Sequence, residues 1–198
     1  HIEGTLEPEQ MFSLAKRNNV QIPFKNINEA KKAYNFSDLE SFLKIYYEGA
    51  KVLIKEQDFF ELTWNYALKC KEDNIVHTEI FFDPQTHTNR GVSFDIVING
   101  IYKALKKAEK EFGLTFKIIM CFLRHLNEEE CFNVLDQALA HKDKIFGVGL
   151  DSSETNNPPK KFERLFKKAA ENNFIAVAHA GEEGPPEYIW EALNLLNV

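Results

Sequence analysis

Apolar residues along this chain recur at two spacings, and the switch between them marks out the elements. In Pro8–Asn18, Met11, Leu14 and Ala15 fall at helical intervals behind a proline suited to a first turn. Residues 18–25, polar and holding Pro23, predict a loop. A short helix capped by Asn28 is expected over 28–34, and Ser37 and Asp38 start another that runs to about Glu48. Residues 56–73 predict a longer helix with Phe60, Trp64, Ala67 and Leu68 on one face. The period then drops to two. Over 75–82, Val76, Thr78, Ile80 and Phe82 point one way and His77, Glu79 and Phe81 the other.

Three more strands are expected at Thr115–Leu123, 144–150 and 174–178, separated by helices over Phe94–Phe112, 127–140 and from Pro158-Pro159 to about Asn172. The acidic run Glu128-Glu129-Glu130 suits the start of its helix. Residues 174–178 are too short for a helix and read as a strand buried on both faces. Gly184-Pro185-Pro186 breaks that strand and opens a helix. An acidic residue in a strand needs a partner. Glu79 either pairs in the interior with Arg124, just past the next strand, or faces solvent, and the alternation leaves both open.

Strand and helix in regular succession imply a parallel α/β fold, and periodicity does not separate a barrel from an open sheet. With 198 residues, 44% of them hydrophobic and 17 of them Phe, the chain can bury one sizeable core, and one domain is the natural count. The net charge of −6, from 24 basic and 30 acidic residues, gathers no basic run beyond pairs such as Lys106-Lys107 and Lys167-Lys168, so a nucleic-acid partner is not expected. No strand is followed by a Gly-x-Gly-x-x-Gly or a phosphate loop, which argues against dinucleotide and nucleoside-triphosphate enzymes. Cys70, Cys121 and Cys131 lack Cys-x-x-Cys spacing and read as reduced core thiols of a cytoplasmic protein. No apolar run approaches the roughly 18 residues a membrane span needs, and no membrane partner is expected.

Candidate chemistry lies at two places. The strand over 174–178 delivers His179, Ala180 and Gly181 leave room against the backbone, and Glu182 follows. An imidazole and a carboxylate then share the carboxyl end of a strand, where α/β barrels carry their chemistry. Taken alone, His179 is better explained as a hydrogen-bonded structural histidine, and only other residues shift that balance. His1-Ile2-Glu3-Gly4 sets another histidine and carboxylate ahead of a glycine and a helix start.

With Glu79-Ile80-Phe81-Phe82-Asp83-Pro84-Gln85-Thr86-His87, Cys121-Phe122-Leu123-Arg124-His125 and Gly149-Leu150-Asp151-Ser152-Ser153-Glu154, these two stretches resemble the adenosine and adenine deaminase family of the metal-dependent amidohydrolases. The resemblance covers nearly the whole chain and is nearer to the bacterial and fungal adenine deaminase branch. It implies a partial (β/α)8 barrel, strands two to five with the end of strand one, and a helical insertion after strand one beside the active-site mouth. Residues 1–198 would be one catalytic domain, an excerpt lacking the first strand and the last three β/α units, and inactive by itself.

The same resemblance implies one zinc ion per chain, with His1 and His179 among its ligands, and a small purine as substrate. Glu182 matches the family's proton donor to the purine ring. Glu3 stands where adenosine-specific members carry an Asp that contacts ribose, and its longer side chain favours the free base. The backbone near Ser152 is implied to face the purine; turn formation accounts for the serines there as well. The expected function is hydrolytic deamination of adenine to hypoxanthine and ammonia. Adenosine deamination, or a non-catalytic partial barrel, are the alternatives.

Overall fold

The computed structural model describes residues 1–198. A 3-10 turn at Glu3–Thr5 leads into α1 (Pro8–Asn18), α2 (Ile27–Ala33), α3 (Leu39–Ala50) and α4 (Glu56–Glu72). Next come β1 (His77–Phe82), the short α5 (Pro84–Thr88), α6 (Phe94–Phe112), β2 (Thr115–Leu123), α7 (Glu128–Leu139) and β3 (Gly147–Asp151). A second 3-10 turn, Pro159–Phe162, runs into α8 (Glu163–Glu171), followed by β4 (Ile175–Ala176) and α9 (Glu187–Leu195). The strands form one sheet in the order β1-β2-β3-β4, with β3 parallel to both β2 and β4. This is the α/β fold with a parallel sheet that the alternation of elements implies. No helix is long and apolar enough to cross a membrane. The chain divides into two compact units, His1–Ile80 with Thr86–Phe116, and Phe81–Gln85 with Lys117–Val198.

In the first unit local chemistry sets the helix ends. Asn26 accepts the Glu29 N–H at 2.9 Å and caps α2, two residues ahead of the expected Asn28, because only a side chain before the first turn can reach that donor. Asp38 and Ser41 cap α3 reciprocally, at 2.8 and 3.2 Å. Gly113, at φ 77°, closes α6. The buried face of α4 is Phe59, Leu62, Thr63, Ala67 and Cys70; of the expected row Ala67 lies on it, and Phe60, Trp64 and Leu68 do not. The rotation follows from α6, which packs on α4 through Gly100: a Cβ there would lie 2.6 Å from Phe59 Cβ. Phe60 and Trp64 are left to stack on the flank, ring centroids 6.5 Å apart. Buried Asp58 accepts the N–H groups of Ile54 and Lys55 at 2.9 and 2.8 Å, bonds Asn18, and is paired with Arg17, tying α4 to the end of α1.

In the second unit the β2–β3 register runs from Ile119↔Gly147 to Leu123↔Asp151. The ladder of β4 continues past its assigned end, with the N–H groups of Val177 and His179 donating to Val148 and Leu150 carbonyls, both at 3.0 Å. Residues 174–178 are not buried on both faces: Phe174 is buried, but Ile175 is 54% exposed. β4 pairs with β3, and α8 packs against it. Phe122 and Phe166 meet edge to face in the core, centroids 5.9 Å apart.

Glu79 and Arg124 find separate partners. Glu79 is exposed, 3.6 Å from His77, whereas Arg124 is fully buried and lies 3.6 Å from Glu154. The alternation expected for β1 holds for Thr78, Ile80 and Phe82, while Val76 lies outside the strand and in solvent.

Candidate active site

Register gathers polar groups at the carboxyl ends of the strands. Asp83 directly follows β1, Cys121 lies near the end of β2, and Asp151 ends β3 opposite Leu123. All three are buried, and their ligand atoms lie within 4.8 Å of one another. Cys121, expected as a plain core thiol, is buried but stands among carboxylates. Gly149 makes its placement possible, since a Cβ at that position would meet Cys121 Sγ at 2.5 Å. A cavity of about 60 Å3 opens beside it, lined by Phe81, Gly149, Leu150, Val177 and His179 among others. The Phe81 ring meets His179 edge on, centroids 6.3 Å apart.

Two buried carboxylates this close repel each other, and a divalent cation beside them offsets that repulsion. Carboxylate, thiolate and imidazole are all ligand types that zinc accepts. The donors of this unit therefore suit a divalent metal, and His179 at the end of β4 offers a further imidazole.

The segment that follows β4 is held by two buried residues. Arg124 Nη1 donates to the His179 carbonyl at 2.7 Å, and its Nε donates to the Asn157 carbonyl at 2.9 Å. Glu154 accepts the N–H groups of Gly181, Glu183 and Gly184 at 2.7, 2.7 and 2.8 Å. Burial pushes the Glu154 carboxyl up, yet these three N–H groups and the charge of Arg124 together hold it below the ordinary carboxylate value. Glu182, between the clamped amides, has its side chain in solvent. Ser152 is buried at φ 75°, with its hydroxyl 2.8 Å from His125 Nδ1. Burial, then the nearby charge of Lys161, lowers the His125 pKa and favours a neutral ring.

In the first unit His1 is half-buried, and its carbonyl accepts the Gly4 N–H at 3.2 Å, closing the turn that carries Glu3. Glu3 is buried. Its Oε2 accepts from the Tyr46 hydroxyl at 3.3 Å and its Oε1 lies 2.9 Å from His87 Nε2. Sequence reasoning quoted Asp83, His87, Asp151 and Glu154 as parts of motifs without assigning them a role. A signal was present for the acids, since a carboxylate at a buried strand end needs a partner. For His87 there was none: its partner lies 84 residues away.

The sequence model of the family described as adenosine deaminase matches residues 1–198. The chain belongs to that family. Similar members include an adenine deaminase of Acinetobacter baylyi, 63% identical over the whole of this chain and 60% of its own length, and one of Wolinella succinogenes, 60% identical over the same shares. The chain thus spans about 60% of the length of these curated relatives. The crystal structure of an adenine deaminase from Arthrobacter aurescens superposes with a TM-score of 0.97 at 48% identity, covering all of this chain and 61% of that one. An amidohydrolase from Burkhoderia ambifaria, solved with bound Zn, shares the fold at a TM-score of 0.89 and 23% identity, over all of this chain and 55% of its own.

Proposed function

We propose that the protein is a zinc-dependent adenine aminohydrolase, converting adenine and water to hypoxanthine and ammonia, and that its sheet is a section of a (β/α)8 barrel. The observation that carries this reading is the gathering of Asp83, Cys121, Asp151 and His179 at or near the ends of neighbouring strands, in a family whose similar members are adenine deaminases. Barrel enzymes collect their reactive groups at that end. The free, buried cysteines fit a cytoplasmic setting.

His179 and His1 act as metal ligands, the latter on the strength of its sequence match. Bound zinc supplies a water that is nucleophilic at neutral pH. Glu182 gives a proton to the purine ring nitrogen next to the amine-bearing carbon, so that the ring gives up its aromaticity as the water oxygen bonds to that carbon. The C–N bond would then break as the exocyclic amine takes up one proton of the attacking water and leaves as ammonia, while the water's other proton would restore Glu182. The backbone near Ser152 lines the purine, and Glu3 occupies the space a ribose would need.

Zinc content and ammonia release from adenine, both measured on the full-length protein, test the proposal. The protein should hold about one zinc per chain, and His179→Ala should lose both metal and turnover. Full zinc occupancy in that variant would remove His179 from the ligand set, and an absence of adenine turnover in the unaltered protein would overturn the function.

A further inference from the structure

His179 ends the β4 ladder, its N–H donating to the Leu150 carbonyl, and Glu182 lies in the irregular segment that follows, where Gly181 and Gly184 pack against Ile189 and Tyr188. Polar, directed bonds fix its backbone as well. Arg124 fixes the His179 carbonyl, while the two oxygens of Glu154 take the amides of Gly181, Glu183 and Gly184. The pinned amides thus bracket Glu182 on both sides while its side chain stays free to face solvent. Gly181, at φ 76°, makes the turn that aims its neighbours' N–H groups at one carboxylate. Arg124, 3.6 Å from Glu154 and equally buried, supplies the charge that lets a carboxylate sit there.

We propose that Glu154, backed by Arg124, is the positioning residue of this active site, setting His179 and Glu182 in place through the backbone between them. The inference rests on the function proposed above. An apolar contact would keep the segment folded, whereas three hydrogen bonds to one carboxylate fix it in three directions. That precision matters because a displacement of about 1 Å in a catalytic group can cost on the order of a hundredfold in rate.

Glu154→Gln keeps the shape but turns one oxygen into a donor facing amide donors, so at most part of the clamp survives. Glu154→Ala removes it. Amide exchange at 181, 183 and 184 should be slow in the unaltered protein and quicken from Gln to Ala. Turnover per bound zinc should fall about tenfold for Gln and about a hundredfold for Ala, with the KM for adenine changing far less. A purely structural role would lower the melting temperature and the yield without changing turnover per bound zinc. The Gln variant, with one acceptor retained, covers the case in which Ala does not fold. Unprotected amides in the unaltered protein, or a Gln variant with unaltered exchange and turnover per zinc, would overturn the proposal. If the unaltered protein fails to deaminate adenine, the function proposed above falls, while the exchange measurements decide the clamp separately.

Discussion

Arg90 Nη2 donates to His87 Nδ1 at 2.8 Å, and this bond decides which ring nitrogen of His87 carries the proton. Nδ1 accepts, so the hydrogen sits on Nε2 and is donated to Glu3 Oε1, 2.9 Å away. Arg90 is itself anchored, since the second N–H of Nη2 is shared between the carbonyls of Ala50, at the end of α3, and Leu53 beyond it. The Glu3 carboxylate therefore has a donor on each oxygen, His87 and Tyr46, without requiring a charged imidazole.

His87→Ala should destabilise the protein by about 1–3 kcal/mol, the cost of leaving a buried polar group short of a partner. The edge contact with Phe59, centroids 4.8 Å apart, is lost as well. His87→Gln, which keeps a donor, should cost less. Urea unfolding of the three proteins checks this, and an unchanged midpoint in the alanine variant would contradict the assigned network.

Glu3→Asp should relax selectivity. On the proposed function, the unaltered protein turns over adenine and rejects adenosine, and the shorter side chain should admit the nucleoside weakly while adenine turnover falls. The gain is partial because ribose hydroxyls left unpaired in a buried site cost about 1–3 kcal/mol. Steady-state rates on both substrates decide the matter; equal efficiency in the unaltered protein would hand the site to an adenosine deaminase.

Glu182→Gln should retain zinc and lose turnover by at least about a hundredfold, the usual contribution of a general acid. Turnover close to that of the unaltered protein would exclude Glu182 from proton transfer.

Acid should weaken the first unit through Asp58. Burial raises its pKa, but the N–H groups of Lys55 and Ile54, then Arg17 and Asn18, outweigh burial and leave the folded value below the ordinary one. A depressed folded pKa means stability that is fully present above the unfolded value of about 3.9 and is lost as pH falls through the folded one. The stability lost between neutral pH and about pH 3 should therefore be smaller for Asp58→Asn than for the unaltered protein. Denaturant melts at several pH values provide the comparison, and equal losses would refute it.

Several elements were legible in the sequence because their determinants are local. Pro8–Asn18, Phe94–Phe112 and Thr115–Leu123 have the bounds the sequence implies, the first set by a helix-starting proline with Met11, Leu14 and Ala15 at helical spacing. The stretches around His179, Asp83 and Asp151 were visible for the same reason, since each motif is contiguous. Tertiary structure decided what depends on neighbours. Periodicity shows which residues are apolar but not what meets them, so the turn of α4 toward Phe59 waited on Gly100 in α6. Charged groups choose partners by distance in the folded chain. Arg124 therefore pairs with Glu154 instead of Glu79, and Glu3 meets His87 across 84 residues of sequence.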